Sequence, residues 1–214
     1  DGRVVHLSAL GDRYREPGDP METDDLFFIQ SMSKSVVSTA LMMLYEDGRF
    51  QLDDPVSRYV PELGDKIVVS RSDNGPIRDR AASPITFRHV LTHTAGVDPE
   101  RDLLTPEEED LLGRRETLEE TILDWAKLPL GFSPGDEWDY GSSTDYVAYL
   151  VQRISGQSLD QFLEERIFEP LGMVDTSYNV AAKDVDRIVA VYQRSGADIS
   201  LQLDYPPGSQ GPTR

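Results

Sequence analysis

Apolar residues are densest between Ser31 and Asp47, where Val36, Val37, Ala40, Leu41, Met42, Met43 and Leu44 wrap most of the way round a helix. This predicts a helix buried in a core, because a helix lying on a surface needs only one apolar stripe. Gly48 closes it as a C-cap. Polar start signals mark the helices that follow. Asp54-Pro55 opens a short one, and Thr86 caps another through about Leu91. Thr117-Leu118-Glu119-Glu120 is a capping box for a helix to about Lys127. A helix from about Ser143 to Ile154 stops near Gly156, and Ser158-Leu159-Asp160-Gln161 caps one that runs to Phe168, before Glu169-Pro170.

The remaining stretches lack a helical period. Asp1 to Leu7 alternates loosely after Asp1-Gly2 and reads as a strand leaving a hairpin. Ser70 to Pro84 holds Gly75, Pro76, Pro84 and many charges and reads as a loop. Ser133-Pro134-Gly135 reads as a turn, and the tail from Gly196, with Pro206-Pro207-Gly208, as a further loop. The pattern is therefore a sheet fragment, a buried central helix and a helical region of about 130 residues.

Composition narrows the function. No apolar run approaches the roughly 20 residues that span a bilayer. A net charge of −18 offers no basic footprint for nucleic acid. The absence of cysteine excludes disulfides, thiolate metal sites and cysteine nucleophiles. Nothing near Asp1 reads as a signal peptide, but a removed one leaves no trace, so the compartment stays open.

Several catalytic patterns are missing. There is no G-x-S-x-G elbow, no H-E-x-x-H or clustered ligand set for a metal, and no phosphate-cradling glycine loop. His6, His89 and His93 read as structural or surface residues, so a Ser-His-Asp triad is thinly supported. No cofactor is expected.

The positive signal is Ser31-Met32-Ser33-Lys34 at the start of the apolar helix. A serine hydroxyl needs a base to become a nucleophile. Positions i and i+3 share a helix face, which brings the Lys34 amine toward the Ser31 hydroxyl. Burial and the positive helix N-terminus both disfavour a charged lysine, and the same N-terminus favours an oxyanion. Ser33 and Ser35 have no lysine three residues on. A second element is Tyr140-Gly141-Ser142, between a turn and a helix, where a phenol near a lysine can shuttle a proton.

Together these stretches resemble the serine β-lactamase-like and penicillin-binding-protein superfamily, in its class C-like branch containing family VIII carboxylesterases. The resemblance is carried by Phe27-Phe28-Ile29-Gln30-Ser31-Met32-Ser33-Lys34, Leu52-Asp53-Asp54-Pro55-Val56 and Val90-Leu91-Thr92-His93-Thr94-Ala95-Gly96. It continues in Pro134-Gly135 through Tyr140 and in Phe168-Glu169-Pro170-Leu171-Gly172-Met173. The resemblance implies an α+β fold of the β-lactamase/transpeptidase type, an α/β sheet domain plus an all-helical domain. Residues 1–50, with the nucleophile helix, then belong to the α/β domain, 51–180 to the helical domain, and 181–214 return toward the α/β domain.

The resemblance also implies that Ser31 forms an acyl-enzyme, Lys34 activates it, and Tyr140 exchanges protons with leaving group and water. The Ser31 N–H would be one oxyanion donor. Lactamases usually read Y-x-N where this chain has Tyr140-Gly141-Ser142, which places Ser142 at a substrate-binding position without the amide. That favours short-chain esters over β-lactams, with a β-lactamase, a D-amino-acid peptidase, an acyltransferase or a non-catalytic penicillin-recognition module as alternatives. The substrate is a small ester or amide. The family's first strand and its C-terminal strands, with the K/H/W-x-G motif, are not found. They lie in a second chain or in further segments, or the 214 residues are a fragment.

Overall fold

A computed structural model describes residues 3–15, 18–196 and 198–203. In chain order the first elements are strands β1 (Asp12–Tyr14) and β2 (Asp19–Pro20), helix α1 (Ser33–Glu46) and strands β3 (Ile67–Ser70) and β4 (Ile77–Arg80). Helices α2 (Phe87–Leu91), α3 (Pro106–Glu109), α4 (Leu118–Trp125), α5 (Ser143–Ser155), α6 (Leu159–Leu163) and α7 (Glu169–Leu171) follow. Strands β5 (Val191–Ser195) and β6 (Asp198–Leu203) come last. The described residues fall into two compact units, one within 1–30 and 173–214, the other 31–172.

In the first unit β1 pairs with β2, and β5 with β6, both antiparallel. Arg13 bonds Asp19 at 2.8 Å and the fully buried carboxylate of Asp25 at 2.9 Å. Leu26 joins the two chain segments of this unit: its N–H donates to Arg187 O at 2.7 Å, and its carbonyl accepts from Val189 N–H at 2.9 Å. Two expectations are corrected here. Residues 3–10 form no strand, and Val4, Val5 and Leu7 stand exposed, because no described strand pairs with them. The tail expected to be a loop contains β6, Asp198–Leu203, which pairs with β5 from Ser195↔Asp198 to Val191↔Leu203. Pro206-Pro207-Gly208 lies outside the described residues.

The second unit is built round α5, against which α1, α2, α4 and α6 pack. Tyr146, Val147, Leu150, Val151 and Ile154 of α5 are buried, and α1 meets them with Val37, Ala40, Leu41 and Leu44. That spacing is one face of a helix. Val36, Met42 and Met43 are only half-buried, which corrects the expectation of burial most of the way round: α5 and α6 cover one side of α1. Phe50 stacks on Phe87 with ring centroids 3.8 Å apart, and the edge of Tyr59 closes that cluster at 5.9 Å.

Local signals act as read at several helix starts. Thr117 caps α4 by accepting from Glu120 N–H at 3.1 Å while Glu120 accepts from Thr117 N–H. Thr86 caps α2, with His89 Nδ1 supplying the reciprocal acceptor at 3.2 Å. Thr105 and Glu108 form a third box on α3, in a stretch that carries no helical period. Two readings are overturned. The charged segment 70–84, expected to be a loop, contains β4, which pairs with β3 from Ile67↔Arg80 to Ser70↔Ile77. Glu169-Pro170 does not end the α6 run, since a π-helical turn at Glu164–Phe168 carries it into α7.

Candidate active site

Ser31 lies on a 3-10 turn, Gln30–Met32, that leads directly into α1. Gln30 takes φ 43°, a left-handed value uncommon for a residue with a side chain. Such strain, of order 1–3 kcal/mol, collects where a side chain has to be aimed. Ser31 is exposed and Lys34, in the first turn of α1, is half-buried.

Tyr140 ends the segment before α5. Its phenol interacts with the Ser31 hydroxyl first and the Lys34 amine second, and together they hold it below the ordinary phenol range despite some desolvation. Lys34 Nζ stands 5.1 Å from the centre of the Tyr140 ring. Three groups that exchange protons readily thus meet at one point.

The helix packing explains why they meet. At one end of the α1–α5 pair Lys34 reaches Tyr140; at the other, Arg49 donates to Ile154 O at 2.9 Å. The two helices therefore run in the same direction, with both N-termini at the site. The N-terminus of α1 carries a partial positive charge that favours an oxyanion or a phenolate, while that of α5 is met by the Asp98 carboxylate.

The Tyr140 segment runs beside residues 93–98. Asp139 N–H donates to His93 O at 3.0 Å, Gly135 N–H to Thr94 O at 2.8 Å, and Gly131 N–H to Gly96 O at 2.8 Å. Gly96 is needed at this approach: it takes φ 72°, and a Cβ there would collide with the Phe132 carbonyl oxygen. His93, at φ 58°, stacks on Tyr140 with centroids 5.0 Å apart. Its Nδ1 is buried with no hydrogen-bond partner, alone in this among the described residues. Trp138 lies 6.3 Å from Tyr140 and is largely exposed.

Ser142, the fourth residue singled out by the sequence, is bonded to Asp98. Its hydroxyl donates to Asp98 Oδ1 at 2.7 Å and its N–H to Asp98 Oδ2 at 3.0 Å. Neither Asp98 nor Trp138 is among the expected site residues. Asp98 belongs to no motif, and only the pair Gly141-Ser142, small residues where a carboxylate has to fit, hints at it. Among the described residues no cluster of three or more His, Asp or Glu side chains could hold a metal ion. No helix among them is long and apolar enough to cross a membrane.

Comparison with known proteins shows the family. The chain is 32% identical over 194 residues to a lovastatin esterase of Penicillium rubens, covering 86% of this chain and 48% of that protein. It is 31% identical over 184 residues to esterase EstB of Burkholderia gladioli, covering 83% and 44%. The chain thus spans about half the length of the curated relatives it matches. Among solved structures it is similar to EstCE1, described as a hydrolase with promiscuous acyltransferase activity. That likeness has a TM-score of 0.77 at 29% identity, over 95% of this chain and 52% of the other. The family model described as Beta-lactamase matches residues 1–211, and the chain belongs to the β-lactamase family.

Proposed function

We propose that the intact protein is a serine hydrolase of short-chain carboxylic esters that works through an acyl-enzyme on Ser31. The observation that carries this reading is the convergence of Ser31, Lys34 and Tyr140, with Lys34 Nζ 5.1 Å from the centre of the phenol ring and the phenol facing both groups. Ser31 Oγ attacks the ester carbonyl, and its proton passes to the Lys34–Tyr140 pair. The oxyanion forms at the N-terminus of α1, with the Ser31 N–H as one donor. As the intermediate collapses, the C–O bond to the alcohol breaks and Tyr140 supplies the alcohol's proton. Water, deprotonated by the same pair, then releases the acid and restores Ser31.

Two further points support an ester substrate. The relatives named above are esterases. Ser142 flanks the substrate in this reading, but its hydroxyl is given to Asp98, so position 142 offers no free side-chain donor to a lactam's amide. In the complete fold, residues 1–50 and 181–214 contribute to the α/β domain and 51–180 form the helical domain, as the family resemblance supports. The charge of −18 supports a small substrate rather than nucleic acid. Transfer of the acyl group to an alcohol in place of water is the second reading, favoured by the likeness to EstCE1.

The test is hydrolysis of p-nitrophenyl butyrate beside a chromogenic cephalosporin, on the intact protein and on Ser31→Ala. Ester turnover that disappears in Ser31→Ala, with little cephalosporin cleavage, is expected. Faster cephalosporin cleavage would replace the esterase with a lactamase. Turnover of neither would favour a non-catalytic binding module.

A further inference from the structure

Tyr140 is held from two sides by one stretch of chain. The ring rests on His93, and the turn that follows it rests on Asp98, five residues further on. The Asp98 carboxylate is bidentate. One oxygen accepts the Ser142 hydroxyl at 2.7 Å and the other accepts the Ser142 N–H at 3.0 Å. Bonds of this type, with an ionised acceptor, are about twice as strong as neutral ones.

The carboxylate also packs flat against Gly141. A Cβ at Gly141 would stand 2.6 Å from Asp98 Cγ, closer than any real contact, so the turn accepts the carboxylate only because residue 141 has no side chain. Ser142 is the N-cap residue of α5, and its own side chain caps nothing within the helix. Asp98 therefore does from another loop what a capping side chain does locally: it satisfies an N-terminal N–H with negative charge.

We propose that Asp98 is a positioning residue for Tyr140, its carboxylate fixing the Tyr140-Gly141-Ser142 turn so that the phenol is placed against Ser31 and Lys34. This explains the joint occurrence of glycine at 141 and serine at 142 as a receptor for that carboxylate. The other groups that feel its charge are His93 and Tyr146, and both are held by packing. The proposal rests on the catalytic role given to Tyr140 above, but the placement of the phenol is measurable without turnover.

The experiment uses the intact protein with Asp98→Asn, Asp98→Ala and Gly141→Ala, each compared with the parent by circular dichroism. The Tyr140 phenol is titrated by tyrosinate absorbance, as the difference from a matching protein that also carries Tyr140→Phe. Ester turnover is resolved into kcat and KM. Asp98→Ala and Gly141→Ala should move the phenol up toward its ordinary range and lower kcat about 10-fold or more, with KM within about twofold. Asp98→Asn keeps one acceptor oxygen for the turn and should fall between. An unchanged phenol titration in folded Asp98→Asn and Gly141→Ala overturns the proposal, whether or not Asp98→Ala folds. A loss confined to KM also overturns it. If the parent hydrolyses no ester, the proposed function fails while the titration still decides the role of Asp98.

Discussion

His93 combines a left-handed backbone, a buried Nδ1 without a partner and a ring stacked under a reactive phenol. Burial first, and Lys34 second, disfavour its protonated form, while Asp98 and Asp139 pull the other way. Burial also lowers His89, whose Nδ1 must stay unprotonated to accept the Thr86 N–H. In an unfolded chain both would titrate near about 6.5. Between that value and the lower folded ones the unfolded state binds more protons. Stability from these two residues is therefore complete above about pH 6.5 and is lost as the pH falls through the folded values. The thermal midpoint should drop between about pH 7 and about pH 5, and should drop less when both residues are changed to glutamine. A midpoint flat over that range would contradict the account. Asp124, held down by Lys127 and Arg115, and Glu108, held down by Arg78, give up their contribution only in more acid solution. Ser31 and Lys34 are conspicuous in the sequence because three residues on a helix is a local relation. Asp98 is not, because its partner lies 44 positions away and an aspartate before a proline signals only a turn.

At the scale of elements, legibility follows the range of the contacts. The box at Thr117 closes within four residues and the sequence displays it completely, while at Thr86 the sequence displays the cap but not its reciprocal acceptor, His89. The box at Thr105–Glu108 has the same form but stands in a charged stretch without an apolar period, so nothing nearby announces α3. Hairpin β3–β4 is hidden for a related reason. All four residues of β4 are exposed, and Ile77-Arg78-Asp79-Arg80 shows no alternation of apolar and polar positions. Asn74-Gly75 was the available turn signal. Helix α2 is only five residues long and owes its place to packing as well as to its cap. Phe87 is fully buried and stacked on Phe50, so Phe87→Ala should destabilise the protein by about 3–5 kcal/mol in denaturant unfolding. A cost below about 1 kcal/mol would show that the cluster rearranges to fill the space.

Over the whole molecule the dominant fact is the charge of −18. Many arginines are already matched, as in Arg71 with Glu100 and Asp102, Arg78 with Glu108, and Arg88 with Asp53. Exposed pairs of this kind are each worth about 0–1 kcal/mol and are weakened by salt. The unmatched carboxylates repel one another, and salt weakens that as well. With so large an excess of one sign, repulsion outweighs the pairs, and the thermal midpoint should rise as sodium chloride is raised toward about 0.15 M. A fall would mean that the pairs matter more. The side-by-side course of α1 and α5 has a mechanical consequence. Each helix is a stiff rod about 20 Å long, gripped at the far end by Arg49 and carrying a reactive segment at its tip. The rods behave as the arms of a pair of pliers, in which a yaw of about 3° opens the jaws by about 1 Å, enough to cost about a hundredfold in rate. Leverage, rather than proximity to the substrate, then determines how strongly a residue governs the chemistry.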